Sequence, residues 1–153
     1  MEQPGLPLAD SDVTALMRLQ RIAYLVEAEL IGDDRIPVLR ETEAELRTAD
    51  LLWIFDRDDN GTIRGALGFR ADHGEVVIHR LIVDPECHRR GIGTELVRKV
   101  LTIALRTTVS TGRQNQGARA LYEGLGFTHI DDSEAIPGLW VSNYEWIHSG
   151  TTQ

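Results

Sequence analysis

The sequence predicts a single α/β domain, built as a mixed, mostly antiparallel central sheet flanked by helices. Three observations carry that expectation. The chain has 153 residues, which suits one domain with one sizeable core. Three strand-like runs joined by short turns fill its middle, as in an antiparallel meander. Its second half alternates helix and strand, the pattern of crossover connections.

Taken in order, apolar residues recur at Val13, Leu16, Leu19, Ile22, Val26 and Leu30, which is helical spacing, with Ser11 or Asp12 as the expected cap. A loop through Gly32 and Pro37 leads to TEAE (42–45), a capping box opening a second, short helix. LLWIFD (51–56) reads as a strand, DDNG (58–61) as a hairpin turn and TIRGALGFRA (62–71) as the returning strand. DHG (72–74) turns the chain into EVVIHRLIVDP (75–85), whose Pro85 stops the strand. Leu96, Val97, Val100, Leu101 and Ala104 give an amphipathic helix from Gly93 to Arg106. RTTVST (106–111) is a strand, and NQGARALYEGLG (115–126) is a helix closed by two glycines. FTHID (127–131) and LWVSNYEWIH (139–148) supply the last two strands. No internal repeat and no linker rich in Pro, Gly or Ser divides the chain.

Charge and cysteine content narrow the function. A formal net charge of −8 argues against nucleic acid, which is bound largely by neutralising phosphates. No apolar run is long enough to span a membrane, so no membrane partner is expected. MEQPGLPLAD at the start has neither a basic region nor an apolar core, so no secretory signal is expected. Cys87 is the single cysteine, which excludes an internal disulfide and points to a reducing, cytoplasmic setting.

Two segments carry chemistry. HRRGIGTEL (88–96) follows a strand and opens a helix. Glycines there let backbone approach an anion, and a helix N-terminus offers unpaired N–H groups to it. Read alone, the turn fits a phosphate site or a plain strand-to-helix connector. It is neither a GxxxxGK[ST] loop nor a dinucleotide fingerprint, since Leu96 stands at the third glycine position. In NQGARALYEGLGF, Asn115, Ala118, Arg119 and Tyr122 share one helical face. Read alone, that face fits a capping Asn with a core Tyr, or a polar site. DPECH (84–88) lacks a second ligand cluster at zinc spacing, so no metal is expected, and no G-x-S-x-G elbow occurs.

Together, RLIVDPECHRRGIGTEL and GRQNQGARALYEGLGF resemble the GNAT N-acetyltransferase superfamily. The family's pattern is a strand ending in V-x-P, then [QR]-x-x-G-x-[GA], a helix, a strand and N-x-x-A-x-x-L-Y-x-x-x-G-F. Asn115, Ala118, Leu121, Tyr122, Gly126 and Phe127 match the second part, and Gly91 and Gly93 match the first, whereas His88 stands where Gln or Arg is usual. The resemblance implies one domain over 1–153, with the helices of about 11–49 shaping an acceptor site and about 75–128 forming the acyl-coenzyme A core.

It further implies acetyl-CoA as cosubstrate, without a metal, and direct attack of a primary amine on the thioester. Backbone amides of Arg89, Arg90, Gly91, Ile92, Gly93 and Thr94 would cradle the pyrophosphate, with His88 contributing less reliably than an arginine. Leu81, Ile82 and Val83 would lie along the pantetheine arm, with Asn115 and Ala118 beside it. Tyr122 would protonate the leaving thiolate, and the Val83 N–H would stabilise the oxyanion. The base is His79 or, second, Glu75, or else ordered water. Tyr24 and Glu27 would bind the acceptor, together with Ala23 and the 41–45 segment, and Glu27, Asp33 or Glu41 would attract its cation. The acceptor is a small-molecule or peptide amine. The aromatic last strand (Trp140, Tyr144, Trp146) suits either core or a homodimer contact. The alternative on the same fold is a non-catalytic acyl-CoA-binding or regulatory module.

Overall fold

The computed structural model describes residues 5–150 and sets a seven-stranded sheet between helices on both faces. Residues 1–4, which begin the MEQPGLPLAD stretch, lie outside the described residues. In chain order the elements are β1 (Leu6–Pro7), α1 (Val13–Ile31), α2 (Glu43–Arg47), β2 (Leu52–Arg57), β3 (Ile63–Asp72) and β4 (Glu75–Val83). α3 (Ile92–Leu101), β5 (Arg106–Gly112), α4 (Gln116–Gly124), β6 (Thr128–Ile136) and β7 (Leu139–Ile147) follow. The spatial order is β1-β2-β3-β4-β5-β7-β6. Among the described residues only β4 and β5 pair in parallel, with α3 as the crossover between them. The mixed, mostly antiparallel sheet expected from the sequence is therefore present.

Local chemistry explains most boundaries. Thr42 and Glu45 form both bonds of the capping box, each side chain accepting from the other's backbone N–H. His73 and Gly74 both take positive φ, which gives the tight turn its hand match to β3 and β4. In the β2–β3 hairpin only Gly61 does so, and Asp58 Oδ1 accepts from the N–H groups of Asn60 and Thr62.

Three expectations need correction, and one strand was not expected. Asp12 stands at the N-cap of α1, as expected, but its side chain makes no capping bond; a short 3₁₀ turn precedes the helix, and the Asp12 carboxylate accepts from Arg57 at 3.0 Å instead. α3 stops at Leu101 rather than Arg106, because Leu105 and Arg106 donate to the Gly74 carbonyl and draw the chain onto the β3–β4 turn. β6 extends to Ile136, well past FTHID, through a run exposed from Thr128 to Ala135 that has no apolar alternation to reveal it. β1 is a two-residue strand with no periodicity to announce it.

Each face of the sheet carries its own core. On one side Leu96, Val97 and Val100 of α3 and Tyr122 of α4 pack on Leu67, Phe69, Val76 and Ile78. On the other, Val13, Leu16 and Met17 of α1 and Leu46 of α2 pack on Trp53, Ala66 and Ile82. Beneath α1 lies a polar node. Arg80 of β4 donates both Nη groups to the Glu41 carboxylate at 2.7 Å, Gln20 of α1 donates to the same carboxylate at 2.9 Å, and Arg80 also donates to Gln20. The charged side chains are only 10% and 11% exposed, so each depends on the other. No helix among the described residues is long and apolar enough to cross a membrane.

Burial pushes the Glu41 carboxyl up, but the bonds from Arg80 and Gln20 outweigh it and hold it below its ordinary value. The node therefore stabilises the fold above the unfolded carboxyl pKa of about 4.3, and this contribution is lost as pH falls through the lower folded value. Glu41→Ala, which leaves Arg80 buried and unpaired, is expected to cost about 3 kcal/mol in urea unfolding at pH 7. A loss within error of zero would show that water reaches the node.

Candidate active site

The site begins with a break in strand periodicity. Phe69 pairs with Ile78 and the adjacent Gly68 pairs with Arg80, so His79 is an extra residue, a β-bulge. The bulge moves the residues facing the α3–α4 side from Val76 and Ile78 to Leu81 and Val83. At the same point β4 and β5 part: their pairing runs from Glu75 with Arg106 to Ile78 with Val109 and then ends. Beyond it β5 continues to pair with β7 as far as Gly112.

The fork exposes a strand edge. Asp84 N–H donates to the Arg64 carbonyl, so Asp84 and Arg64 are a hydrogen-bonded pair of the β3–β4 ladder. Alternation then turns the backbone groups of Ile82 toward β3 and those of Leu81 and Val83 away from it, into the fork. Ile82 is thus a core residue, fully buried against α1, and not part of the expected edge.

A cavity of about 270 Å³ fills the opening. His79 and Leu81 line it from β4, Ser110 and Thr111 from β5, and Asn115, Ala118 and Tyr122 from α4. Tyr24 and Glu27 reach it from α1. Tyr122 is 2% exposed, packs edge-on against Phe127 at 5.2 Å, and has no hydrogen-bond partner for its hydroxyl among the described residues. Burial, with Tyr24 and Glu27 nearby, pushes its pKa above the ordinary tyrosine range, so the phenol keeps its proton. Burial holds the His79 imidazole below its ordinary value, assisted by the charges of Arg70 and Arg80, so it is neutral near pH 7.

Asn115 joins the two halves of the cavity. Its Oδ1 accepts from Ala118 N–H at 3.1 Å, capping α4, and its Nδ2 donates to Glu27 at 3.3 Å. One amino hydrogen is left for another partner. Burial pushes the Glu27 carboxyl up, and the bond from Asn115 opposes it only in part.

The glycine turn presents a different surface. Gly91 is the N-cap of α3 at φ 76, with no side chain capping the helix, in contrast to Thr42 on α2 and Asn115 on α4. A Cβ on Gly91 would meet nothing within 4 Å, so the turn faces open space. On Gly93 it would lie 3.0 Å from Leu121, so this glycine seats α3 against α4. His88, Arg89 and Arg90 are exposed, and among the described residues neither arginine has an acidic partner. Open first-turn amides beside free cations suit an anion.

Other expected residues go elsewhere. Glu75 pairs with Arg106 at the far end of β4, away from the cavity. Glu41 is taken by Arg80, and Asp33 by Arg35 at 2.7 Å. Arg119 turns to β7, donating to the Tyr144 hydroxyl, and Tyr144 is fully buried. Of the last strand's aromatics, Trp140 is the exposed one, under Arg113. Among the described residues no group of three or more His, Cys, Asp or Glu gathers to hold a metal ion. Sequence reasoning missed the apolar wall of Ile36, Val38, Leu139 and Val141, brought in by the 37–40 turn and the β6–β7 hairpin.

A sequence model of the acetyltransferase (GNAT) family matches residues 14–127, and the chain belongs to that family. It is 31% identical over 130 residues to UPF0157 protein YqkA of Bacillus subtilis (strain 168), covering 83% of this chain and 38% of that one. It is 33% identical over 91 residues to the 5-NmdU N-acetyltransferase of Pseudomonas phage PaMx11, covering 57% of this chain and 65% of that one. The chain thus spans less than two thirds of either relative. The fold is shared with the PaiA N-acetyltransferase of Thermoplasma acidophilum, solved with coenzyme A: TM-score 0.75, 18% identity, 95% of this chain and 100% of that one.

Proposed function

We propose that the protein transfers the acetyl group of acetyl-CoA to a primary amine by direct attack on the thioester. The observation that carries this reading is the cavity at the fork, where a buried, protonated, unpartnered phenol meets an open strand edge. The α3 turn supports a pyrophosphate seat on the amides of residues 89–94, with Arg89 and Arg90 near the phosphates. Leu81 and Val83 offer their free backbone groups to the pantetheine arm, as a sheet edge does to an added strand.

In this reading the neutral amine nitrogen attacks the carbonyl carbon, the C–S bond breaks as Tyr122 gives its proton to the departing sulfur, and the proton that the new amide nitrogen sheds restores the phenol. The Val83 N–H, aimed into the fork, stabilises the oxyanion. His79, neutral near pH 7, takes the proton that the ammonium must lose. An unpartnered phenol at this point favours an enzyme over an acyl-CoA-binding module, which has no use for a proton donor there. Its single cysteine and acidic balance support a cytoplasmic setting without nucleic-acid or membrane partners.

Thiol release from acetyl-CoA in the presence of primary amines tests the activity. Tyr122→Phe is expected to lower kcat by about 100-fold or more, with acetyl-CoA affinity unchanged in calorimetry; a matching loss of affinity would assign Tyr122 to binding alone. Gly91→Glu sets a carboxylate where phosphate is expected and should abolish thermal stabilisation by acetyl-CoA; normal stabilisation would remove the pyrophosphate seat. For His79, kcat/KM should rise with pH through an inflection below about 6.5, because the imidazole is depressed. His79→Ala should lower the plateau above that inflection and erase the inflection itself. A profile that keeps it would exclude His79 as base.

A further inference from the structure

The cavity also carries information about the acceptor, resting on the acetyl-transfer reading above. The sequence offers three acids for the acceptor's cation: Glu27, Asp33 and Glu41. Asp33 is spent on Arg35 and Glu41 on Arg80, each at 2.7 Å. Glu27 lines the cavity and, among the described residues, has Asn115 for a hydrogen-bond partner and no cation. A half-buried carboxylate of this kind is short of one positive charge.

Cations are equally constrained. Arg80 is the arginine lining the cavity, and both its Nη groups are held by Glu41. His79 carries no charge near pH 7. A carboxylate entering beside the amine would therefore find no counter-charge and would face Glu27. The rest of the lining holds an apolar wall in two parts, Ile31, Ile36 and Val38 from the end of α1 and the segment after it, and Leu139 and Val141 from β7. A second ammonium would be desolvated against it without compensation.

Size and closure point the same way. About 270 Å³ lies just under the ~300–1,000 Å³ usual for small-molecule sites, and it must also hold the acetyl end of the donor. The two apolar walls are tied together at the rim. Arg35, held by Asp33, donates to the Pro137 carbonyl at 2.8 Å, joining the loop after α1 to the tip of the β6–β7 hairpin.

We infer that the acceptor is a small primary amine with an apolar substituent and no carboxylate beside the amine, its ammonium held by Glu27. Asn115 keeps the Glu27 carboxylate turned toward α4, where the donor's thioester would lie. Tyr24, its hydroxyl also without a hydrogen-bond partner among the described residues and kept protonated by burial, supplies a polar contact next to Glu27.

A matched set of amines tests this with the full chain and acetyl-CoA: pentylamine, norleucine (the same amine with a carboxylate), cadaverine (with a second amine) and norleucyl-glycinamide (a peptide N-terminus). The expected kcat/KM for pentylamine exceeds each of the others by about 100-fold or more. Equal or better turnover of norleucine, cadaverine or the peptide overturns the assignment. So does turnover of none of the four by protein that acetyl-CoA stabilises thermally, an outcome that leaves the cosubstrate reading intact. Absence of that stabilisation overturns acetyl transfer itself. Glu27→Gln should raise KM for pentylamine by about tenfold or more while the dissociation constant for acetyl-CoA stays within error of wild type. An unchanged KM overturns the anchoring role.

Discussion

Everything at the site depends on the parting of β4 from β5. Parallel strands normally stay within one hydrogen-bond length of each other, and doing so here would close the cavity and satisfy the edge of β4. One extra residue, His79, prevents it. The bulge interrupts the ladder with β3, and pairing with β5 ends one residue earlier, at Ile78 and Val109. Past that point the N–H groups of Leu81 and Val83 are left facing open space in the middle of a sheet. Unpaired backbone donors in such a place are costly, and a ligand that pairs with them recovers that cost.

The helices complete the fork from both sides. α4 places Tyr122 and Asn115 at one wall because a residue and the one seven positions later share a face. α1 brings Tyr24 and Glu27 across the opening, and the Arg80–Glu41–Gln20 node fixes α1 and the following turn to β4 directly beside the bulge. The same node pairs Arg80 with Glu41, while Glu27 has no cation partner among the described residues. Glu41 and Asp33 thus differ from Glu27 in being reached by an arginine.

Much of this was legible in the sequence, for physical reasons. The meander, the Thr42–Glu45 box and the Asn115 cap rest on local chemistry, and each stands in the structure as read. Residues of the fork were legible through HRRGIGTEL and NQGARALYEGLGF, whose spacing is set by a turn and a helix face. The fate of Glu41 was not, because an ion pair across 39 positions leaves no local trace, whereas Asp33 and its partner Arg35 stand two positions apart. The length of β6 escaped because its exposed run shows no alternation. One missed feature did leave a signal. In EVVIHRLIV the residues facing α3 and α4 fall on even numbers up to Ile78 and on odd numbers from Leu81, a change of parity that a bulge at His79 produces.

The central claim, that the edge freed by this bulge receives the acyl donor, is tested most directly by amide hydrogen exchange with and without acetyl-CoA. Slowed exchange is expected at Leu81 and Val83, whose N–H groups face the fork, with little change at Ile82, whose N–H is already bonded to β3. Bound acetyl-CoA that leaves Leu81 and Val83 exchanging as before would place the donor elsewhere and contradict the account.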